Sequence, residues 1–184
     1  MNVWSLPVSA EFGGESYTIS ADFRDMLEII GVLNDSRRPN FLRWQVALGL
    51  FYDREIPDQF LQEAMEFLAQ FISYGNNDQE KKPSPKLIDW DQDAQIIVGD
   101  VNKVAGAEIR SLKFLHWWTF LSYFYSVGEG QLSTIVSIRS KKRKGKKLEK
   151  WEDEYYRENR EKIDFKRQET AEDIAAKQYF EKWL

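Results

Sequence analysis

The chain has 184 residues, a formal net charge of −4, one histidine and no cysteine. This length suits one ordinary domain with a buried core, and the lack of cysteine excludes disulfides, thiolate metal sites and cysteine nucleophiles. The charge is uneven, because residues 139–150, which we call the basic cassette, hold eight bases and one acid, whereas residues 1–138 hold 19 acids and 11 bases.

Two alternating segments on either side of Gly13 and Gly14 predict a β-hairpin over residues 8–19. A Gly-Gly pair suits a two-residue hairpin turn, because both glycines tolerate the positive φ angles that this turn requires. The start of the chain lacks the basic residues and long apolar run of a secretory signal. We therefore expect a protein that is not exported by its N-terminus.

Three amphipathic helices are predicted next from apolar residues spaced by three and four. The first uses Ser20 or Asp22 as its N-cap and ends by Asp35. The second has Pro39 in its first turn, and the third begins at Pro57. The side chains expected to face the core are Phe23, Met26, Leu27, Ile30, Phe41, Trp44, Leu48, Phe51, Leu61, Ala64, Met65, Leu68, Phe71 and Ile72.

Residues 75–86 carry two prolines and no large apolar side chain, which predicts a solvated loop or linker before a fourth helix that ends near Gly106. Asp89, Asp91 and Asp93 have the spacing that begins a calcium-binding loop. However, Ala94 stands where that loop needs glycine for its sharp turn. We therefore favour carboxylates that cap the fourth helix over a calcium site.

A fifth helix is predicted over residues 112–127, apolar nearly all round and therefore central to the fold. Its most apolar stretch is shorter than the roughly 20 residues of a membrane span. His116 has no second histidine with which to share a metal and no identifiable acid–base partner. We therefore interpret His116, Trp117 and Trp118 as core residues, in preference to a catalytic or ligand-binding role.

A sixth helix begins near Leu132 and runs into the basic cassette. The cassette is either a contact surface for an acidic protein or a nucleic acid, or a solvated helix end that Gly145 terminates. Stacking aromatic residues are not interleaved with the bases, which places nucleic acid last. The candidate partner-binding residues are Lys141, Lys142, Arg143, Lys144, Lys146 and Lys147.

Two charged helices are predicted to follow, one with Leu148, Trp151 and Tyr155 on a narrow stripe and one from Thr170 to the end. The apolar end of the last helix either docks in a groove of another protein or folds back on the chain's own core. Its candidate contact residues are Tyr179, Phe180, Trp183 and Leu184.

The pattern as a whole predicts a mainly α protein. A helical bundle-like domain with a short N-terminal β-hairpin spans residues 1–145, and a charged helical C-terminal extension spans residues 146–184. The sequence has no phosphate-binding loop, dinucleotide fingerprint or hydrolase nucleophile elbow. We therefore predict no catalytic residue, no cofactor and no metal.

Four segments of the chain resemble a phage family called gene product fifteen. They are LPVSAEFGGESYTISADFRDMLEI, FYDREIPDQFLQEAMEFL, LHWWTFLSYF and STIVSIRSKKRKGKKLEKWEDEYY. The resemblance covers about Leu6 to Asp164, and from Gln168 onward the pattern no longer matches.

The resemblance implies a tail assembly chaperone, because members are encoded near the tape measure gene of tailed phages that infect Gram-positive bacteria. Such a protein would bind the tape measure protein in the host cytoplasm, help to recruit tail tube protein, act with another assembly chaperone, and be absent from the mature virion. We also allow a homo-oligomer among its partners, and expect neither membrane nor nucleic acid. The alternatives are a nucleic-acid-binding accessory protein that uses the cassette and a minor structural tail component.

Overall fold

The structure is a computed structural model that describes residues 4–75, 86–166 and 179. The described residues contain eight α-helices and one β-hairpin. The elements in chain order are β1 (Ser9–Phe12), β2 (Glu15–Thr18), α1 (Phe23–Asn34), α2 (Asn40–Phe51), α3 (Leu61–Ile72), α4 (Ala94–Ala105), α5 (Trp117–Tyr125), α6 (Gln131–Arg143), α7 (Lys150–Glu158) and α8 (Arg160–Ile163). The mainly α fold class and the N-terminal hairpin are confirmed, and so is a charged helical C-terminal region as far as residue 166. The helix predicted from Thr170 to the end lies outside the described residues.

The hairpin forms as predicted, with Gly13 at φ 59° and Gly14 at φ 82° in the turn between its antiparallel strands. Gly13 is also required for space, because a Cβ atom there would lie 2.4 Å from the ring of Phe60. Phe12 and Tyr17 are buried and turn one face of the hairpin toward the helices. The hairpin therefore closes one side of the hydrophobic core.

Asp22, one of the two predicted N-caps, begins α1 and also fixes a distant segment. One of its carboxylate oxygens accepts a hydrogen bond from the Arg24 backbone N–H at 3.0 Å, and the other accepts one from the Leu115 backbone N–H at 2.9 Å. The carboxylate thus ties the start of α1 to the residues that precede α5.

The second helix differs from the prediction in two details. Pro39 lies at the N-cap position, so the helix begins one residue later, at Asn40. Phe41 was expected to face the core, but 71% of its side chain is exposed. Leu48 and Phe51 are buried as predicted, and Ala47 joins them on the buried side of this helix.

The predicted helix over 112–127 was too long at its N-terminal end. Residues 112–116 are not helical, and His116 forms an antiparallel bridge with Asp22. The Phe23 N–H donates to the Leu115 carbonyl at 2.9 Å, and the Trp117 N–H donates to the Ala21 carbonyl at 2.7 Å. Pairing with the chain before α1 satisfies this backbone without helix formation, a tertiary effect that apolar periodicity does not reveal.

The start of α6 is held by a buried carboxylate on α4. Asp100 accepts a hydrogen bond from the Leu132 backbone N–H at 3.1 Å. Gly130 permits this approach, because a Cβ atom there would lie 2.9 Å from the carboxylate. A side chain on α4 therefore satisfies an N–H group that the first turn of α6 leaves unpaired.

The C-terminal helices pack on α6 around a small cluster of Ile135, Ile138 and Ile163, joined by Leu148 and Tyr155. Trp151 was predicted on the same stripe as Leu148 and Tyr155, but 57% of its side chain is exposed. The short α8 was not predicted. A boundary near residue 145 stays a prediction, as does the linker over 75–86, most of which lies outside the described residues.

Candidate functional site

The only histidine of the chain caps α5. His116 is 3% exposed, and its Nδ1 accepts a hydrogen bond from the Trp118 backbone N–H at 3.0 Å. Nδ1 therefore carries no proton, and Nε2 donates its proton to the Pro7 carbonyl at 2.9 Å. Both ring nitrogens are used structurally, and Trp117 and Trp118 are 1% and 3% exposed.

Burial lowers the pKa of His116, although its hydrogen bond to the Pro7 carbonyl works in the opposite direction. The folded protein thus binds this proton less readily than the unfolded chain, whose histidine has a pKa of about 6.5. The stabilising effect of the neutral ring is complete above about pH 6.5 and is lost as the pH falls through the folded-state pKa. We therefore expect the urea midpoint to fall between pH 7.5 and 5.5.

An NMR titration of the single imidazole measures this effect directly, and its midpoint should lie below about 6.5. The variant H116N keeps a side chain that can cap a helix and should show a flatter dependence of the urea midpoint on pH. An NMR titration midpoint at or above the pKa of unfolded histidine would contradict the proposed tautomer and the burial of the ring.

Three exposed aromatic side chains are linked to this cap through ring contacts, and we call Tyr74, Phe114 and Tyr125 the aromatic surface. They are 36%, 57% and 69% exposed. Tyr74 lies 6.4 Å from Tyr125 and 5.4 Å from Trp118, measured between ring centroids, and Phe114 lies 6.4 Å from His116. Since Trp118 and His116 are themselves 6.2 Å apart, these two buried rings connect Phe114 with Tyr74 and Tyr125.

Tyr74 has an unusual backbone conformation, with φ at 61° in the left-handed region. This conformation costs a non-glycine residue roughly 1 kcal/mol. Packing of the ring against Trp118 and a 2.8 Å hydrogen bond between the Tyr74 hydroxyl and Ser122 Oγ offset that cost. The strained backbone holds an aromatic ring at the surface, over the buried Trp118.

Further apolar side chains adjoin the aromatic surface through the N-terminal segment. The hydrogen bond from His116 to the Pro7 carbonyl fixes this segment beside His116, whose ring also contacts Phe114. Leu6 and Val8, on either side of Pro7, are 52% and 57% exposed. Sequence reasoning missed this surface because it assigned Phe114 and Tyr125 to a helix covered on all sides. Lys113, next to Phe114, was the available sign of exposure.

The basic cassette is divided by the fold, since two of its six candidate residues form internal ion pairs. Lys141 Nζ lies 2.7 Å from both carboxylate oxygens of Glu152, which is 2% exposed, and these bonds lower the pKa of Glu152. Lys142 Nζ lies 2.6 Å from Asp164 and 3.6 Å from the ring centroid of Tyr156. Both lysines therefore attach the C-terminal helices to α6.

The remaining four candidates, Arg143, Lys144, Lys146 and Lys147, are exposed. Within the described ranges 4–75 and 86–166, none of the four lies within ion-pair distance of a carboxylate. Of the C-terminal candidates, Tyr179 is 61% exposed. The other three, Phe180, Trp183 and Leu184, lie outside the described residues.

Arg139, at the start of the cassette, is a core residue. Its guanidinium binds both oxygens of Asp93 at 2.6 and 2.9 Å. Thus Asp93 of the aspartate triplet is committed to an ion pair, while Asp89 accepts hydrogen bonds from the backbone N–H groups of Asp91 and Gln92. The carboxylates order the turn before α4, although Asp93 itself makes no side-chain cap bond.

Among the described residues, no three histidine, aspartate or glutamate side chains are grouped in a way that could hold a metal ion. In the same part of the chain, no helix has both the length and the apolar character of a membrane span.

The model of the family described as bacteriophage Gp15 protein matches residues 4–165. No curated protein and no solved structure matches the chain. The matched range includes the hairpin and all eight helices, and it confirms the resemblance carried by the four sequence segments.

Proposed function

Since the chain belongs to the bacteriophage Gp15 protein family, we propose that this phage protein is a non-catalytic tail assembly chaperone. It binds the tape measure protein during tail morphogenesis, in the cytoplasm of the bacterial host, and recruits tail tube subunits to it. It leaves before the virion is mature.

The observation that carries the proposal is the aromatic surface with its neighbours Leu6 and Val8. Burying one large apolar side chain at an interface contributes about 1.5–3 kcal/mol, and aromatic residues are enriched where interfaces bind most strongly. A long helical partner exposes apolar side chains along one face until it is enclosed. Covering that face with Tyr74, Phe114 and Tyr125 would keep the partner from aggregating.

The test replaces the aromatic surface without disturbing the core. The variant Y74N/F114S/Y125S removes the three exposed rings, and asparagine tolerates the left-handed backbone at position 74. We expect it to bind the tape measure protein about 100-fold more weakly, given losses of more than about 1 kcal/mol for each ring. The soluble fraction of co-expressed tape measure protein should fall to the level seen without the chaperone.

A matched control removes exposed apolar residues from elsewhere. Phe41, Leu50 and Val104 are 71%, 37% and 38% exposed, and F41S/L50S/V104S should keep full binding. Equal solubility of the tape measure protein with and without the native chain would refute the proposal. Mass spectrometry of purified particles separates a chaperone, expected to be absent, from a structural tail component.

A further inference from the structure

The C-terminal end of α6 carries a concentrated positive charge. Five bases lie between residues 143 and 151 against one acid, Glu149. All five are exposed, and two acids of the C-terminal helices, Glu152 and Asp164, already bind Lys141 and Lys142. We call these five residues the basic tip: Arg143, Lys144, Lys146, Lys147 and Lys150.

The backbone gathers these cations around one helix end. Gly145 has φ at 63°, a left-handed value that reverses the chain after the helix. The Gly145 N–H donates to the Lys142 carbonyl at 3.1 Å, and the Lys146 N–H donates to the Lys141 carbonyl at 2.9 Å. Lys146 and Lys147 therefore lie beside the last turn of α6, where their charge adds to that of Arg143 and Lys144.

An exposed indole adjoins the same charges. Trp151 is 57% exposed and directly precedes Glu152. Because Glu152 binds Lys141, the first turn of α7 is held against the end of α6. Trp151 is thus an exposed apolar side chain next to Lys150 of the basic tip, and tryptophan is enriched in binding hot spots.

We propose that the basic tip and Trp151 together bind an acidic amphipathic α-helix of a partner protein. The cations would meet the carboxylates of that helix, and Trp151 would pack on its apolar side. This site goes beyond the proposed function, which depends on the aromatic surface. It gives the protein a second, charge-selective contact.

Charge distribution favours a peptide over a nucleic acid. A single strand is held by a continuous basic groove with successive stacking aromatics, whereas the tip offers one tryptophan. Residues 1–138 hold 19 acids and 11 bases, so a phosphate backbone that extended beyond the tip would meet like charge. A short acidic helix needs only the local positive surface.

The experiment uses the full chain and a fluorescent synthetic helix of about 20 residues, with glutamates on one face and leucines on the other. Fluorescence anisotropy at low salt should detect binding that weakens as salt is added. The variant R143Q/K144Q/K146Q/K147Q should bind at least about tenfold more weakly, and W151A about threefold to tenfold more weakly.

Two control variants keep the result interpretable. R37Q/R38Q/R54Q/K113Q removes four exposed cations from other parts of the surface and should bind the probe as the native chain does. K144R/K146R/K147R keeps the charge of the tip and should also retain binding. Both controls change net charge or side-chain identity without removing the basic tip.

Three results would overturn the inference. The first is that the native chain binds a probe with glutamine in place of glutamate as tightly as it binds the acidic probe. The second is that the four-glutamine tip variant and its surface control lose the same affinity for the acidic probe. The third is that the native chain binds a single-stranded oligonucleotide more tightly than the acidic helix. None of these depends on the aromatic surface. Failure of this site therefore leaves the tape measure experiment unaffected, and the reverse also holds.

Discussion

Replacing Arg139 with methionine is expected to lower the free energy of unfolding by about 3–5 kcal/mol, because it strands a buried carboxylate without its partner. Only 4% of the Arg139 side chain and 1% of the Asp93 side chain are exposed. An effect of this size is a large fraction of the stability of a typical domain, about 5–15 kcal/mol.

The large effect arises because Arg139 joins three parts of the chain. Besides Asp93, its guanidinium donates to the carbonyls of Leu87 and Ile163 at 3.0 and 2.6 Å. It also donates to the Lys162 carbonyl at 3.0 Å and lies 4.1 Å from the ring centroid of Phe165. Methionine fills a similar volume but offers no donor, so these acceptors lose their partners together.

Urea denaturation followed by circular dichroism measures the loss. The double variant D93N/R139M removes the unpaired charge as well and should recover about 1–3 kcal/mol relative to R139M. R143M, an exposed position on the same helix, should change stability by less than about 0.5 kcal/mol. If R139M and R143M had equal midpoints, the ion pair would not hold these segments together.

Local patterns predicted the elements whose formation depends on nearby residues. The Gly13-Gly14 turn, the Asp22 cap and the C-terminal stop of α4 at Gly106 each depend on a conformational preference of one or two residues. Gly106 has φ at 66°, as expected for a glycine that ends a helix. Such signals are local in sequence, and the structure follows them.

The start of α5 could not be predicted in this way, because a distant segment determines it. Apolar periodicity continues upstream of Trp117, so the sequence favoured a helix from residue 112. Instead, the backbone around Leu115 and His116 forms hydrogen bonds with the segment at the start of α1, and these bonds replace those of a helix. Competition between local helix formation and a long-range pairing is decided by tertiary structure.

The sequence likewise identified the candidate contact residues as basic but did not show which of them form ion pairs within the fold. Charge alone made Lys141, Lys142 and Arg143 equivalent, since each is a base in one cassette. Only the return of α7 and α8 along α6 gives Lys141 and Lys142 internal partners and leaves Arg143 exposed. A pattern of charges therefore locates a surface, but the packing of later helices determines which charges face solvent.

Replacing Trp117 with alanine is expected to destabilise the protein by about 3–5 kcal/mol, as large-to-small changes of a buried aromatic residue do. Trp117 is 1% exposed and begins α5. Its ring stacks on Phe120 with centroids 5.5 Å apart and meets Trp90 edge-on at 6.0 Å. The indole N–H also donates to the Ile72 carbonyl at 3.1 Å, which ties α5 to the end of α3.

Two further variants divide this loss into its parts. W117F keeps most of the aromatic volume but loses the N–H donor, so we expect a cost of about 1–3 kcal/mol, mainly from the unpaired Ile72 carbonyl and the smaller ring. W151A removes an exposed tryptophan and should cost less than about 0.5 kcal/mol. In urea denaturation, the loss in free energy of unfolding should be largest for W117A, smaller for W117F and smallest for W151A. Equal losses for W117A and W151A would contradict the central position of α5, because Trp117 is buried and hydrogen-bonded whereas Trp151 is exposed.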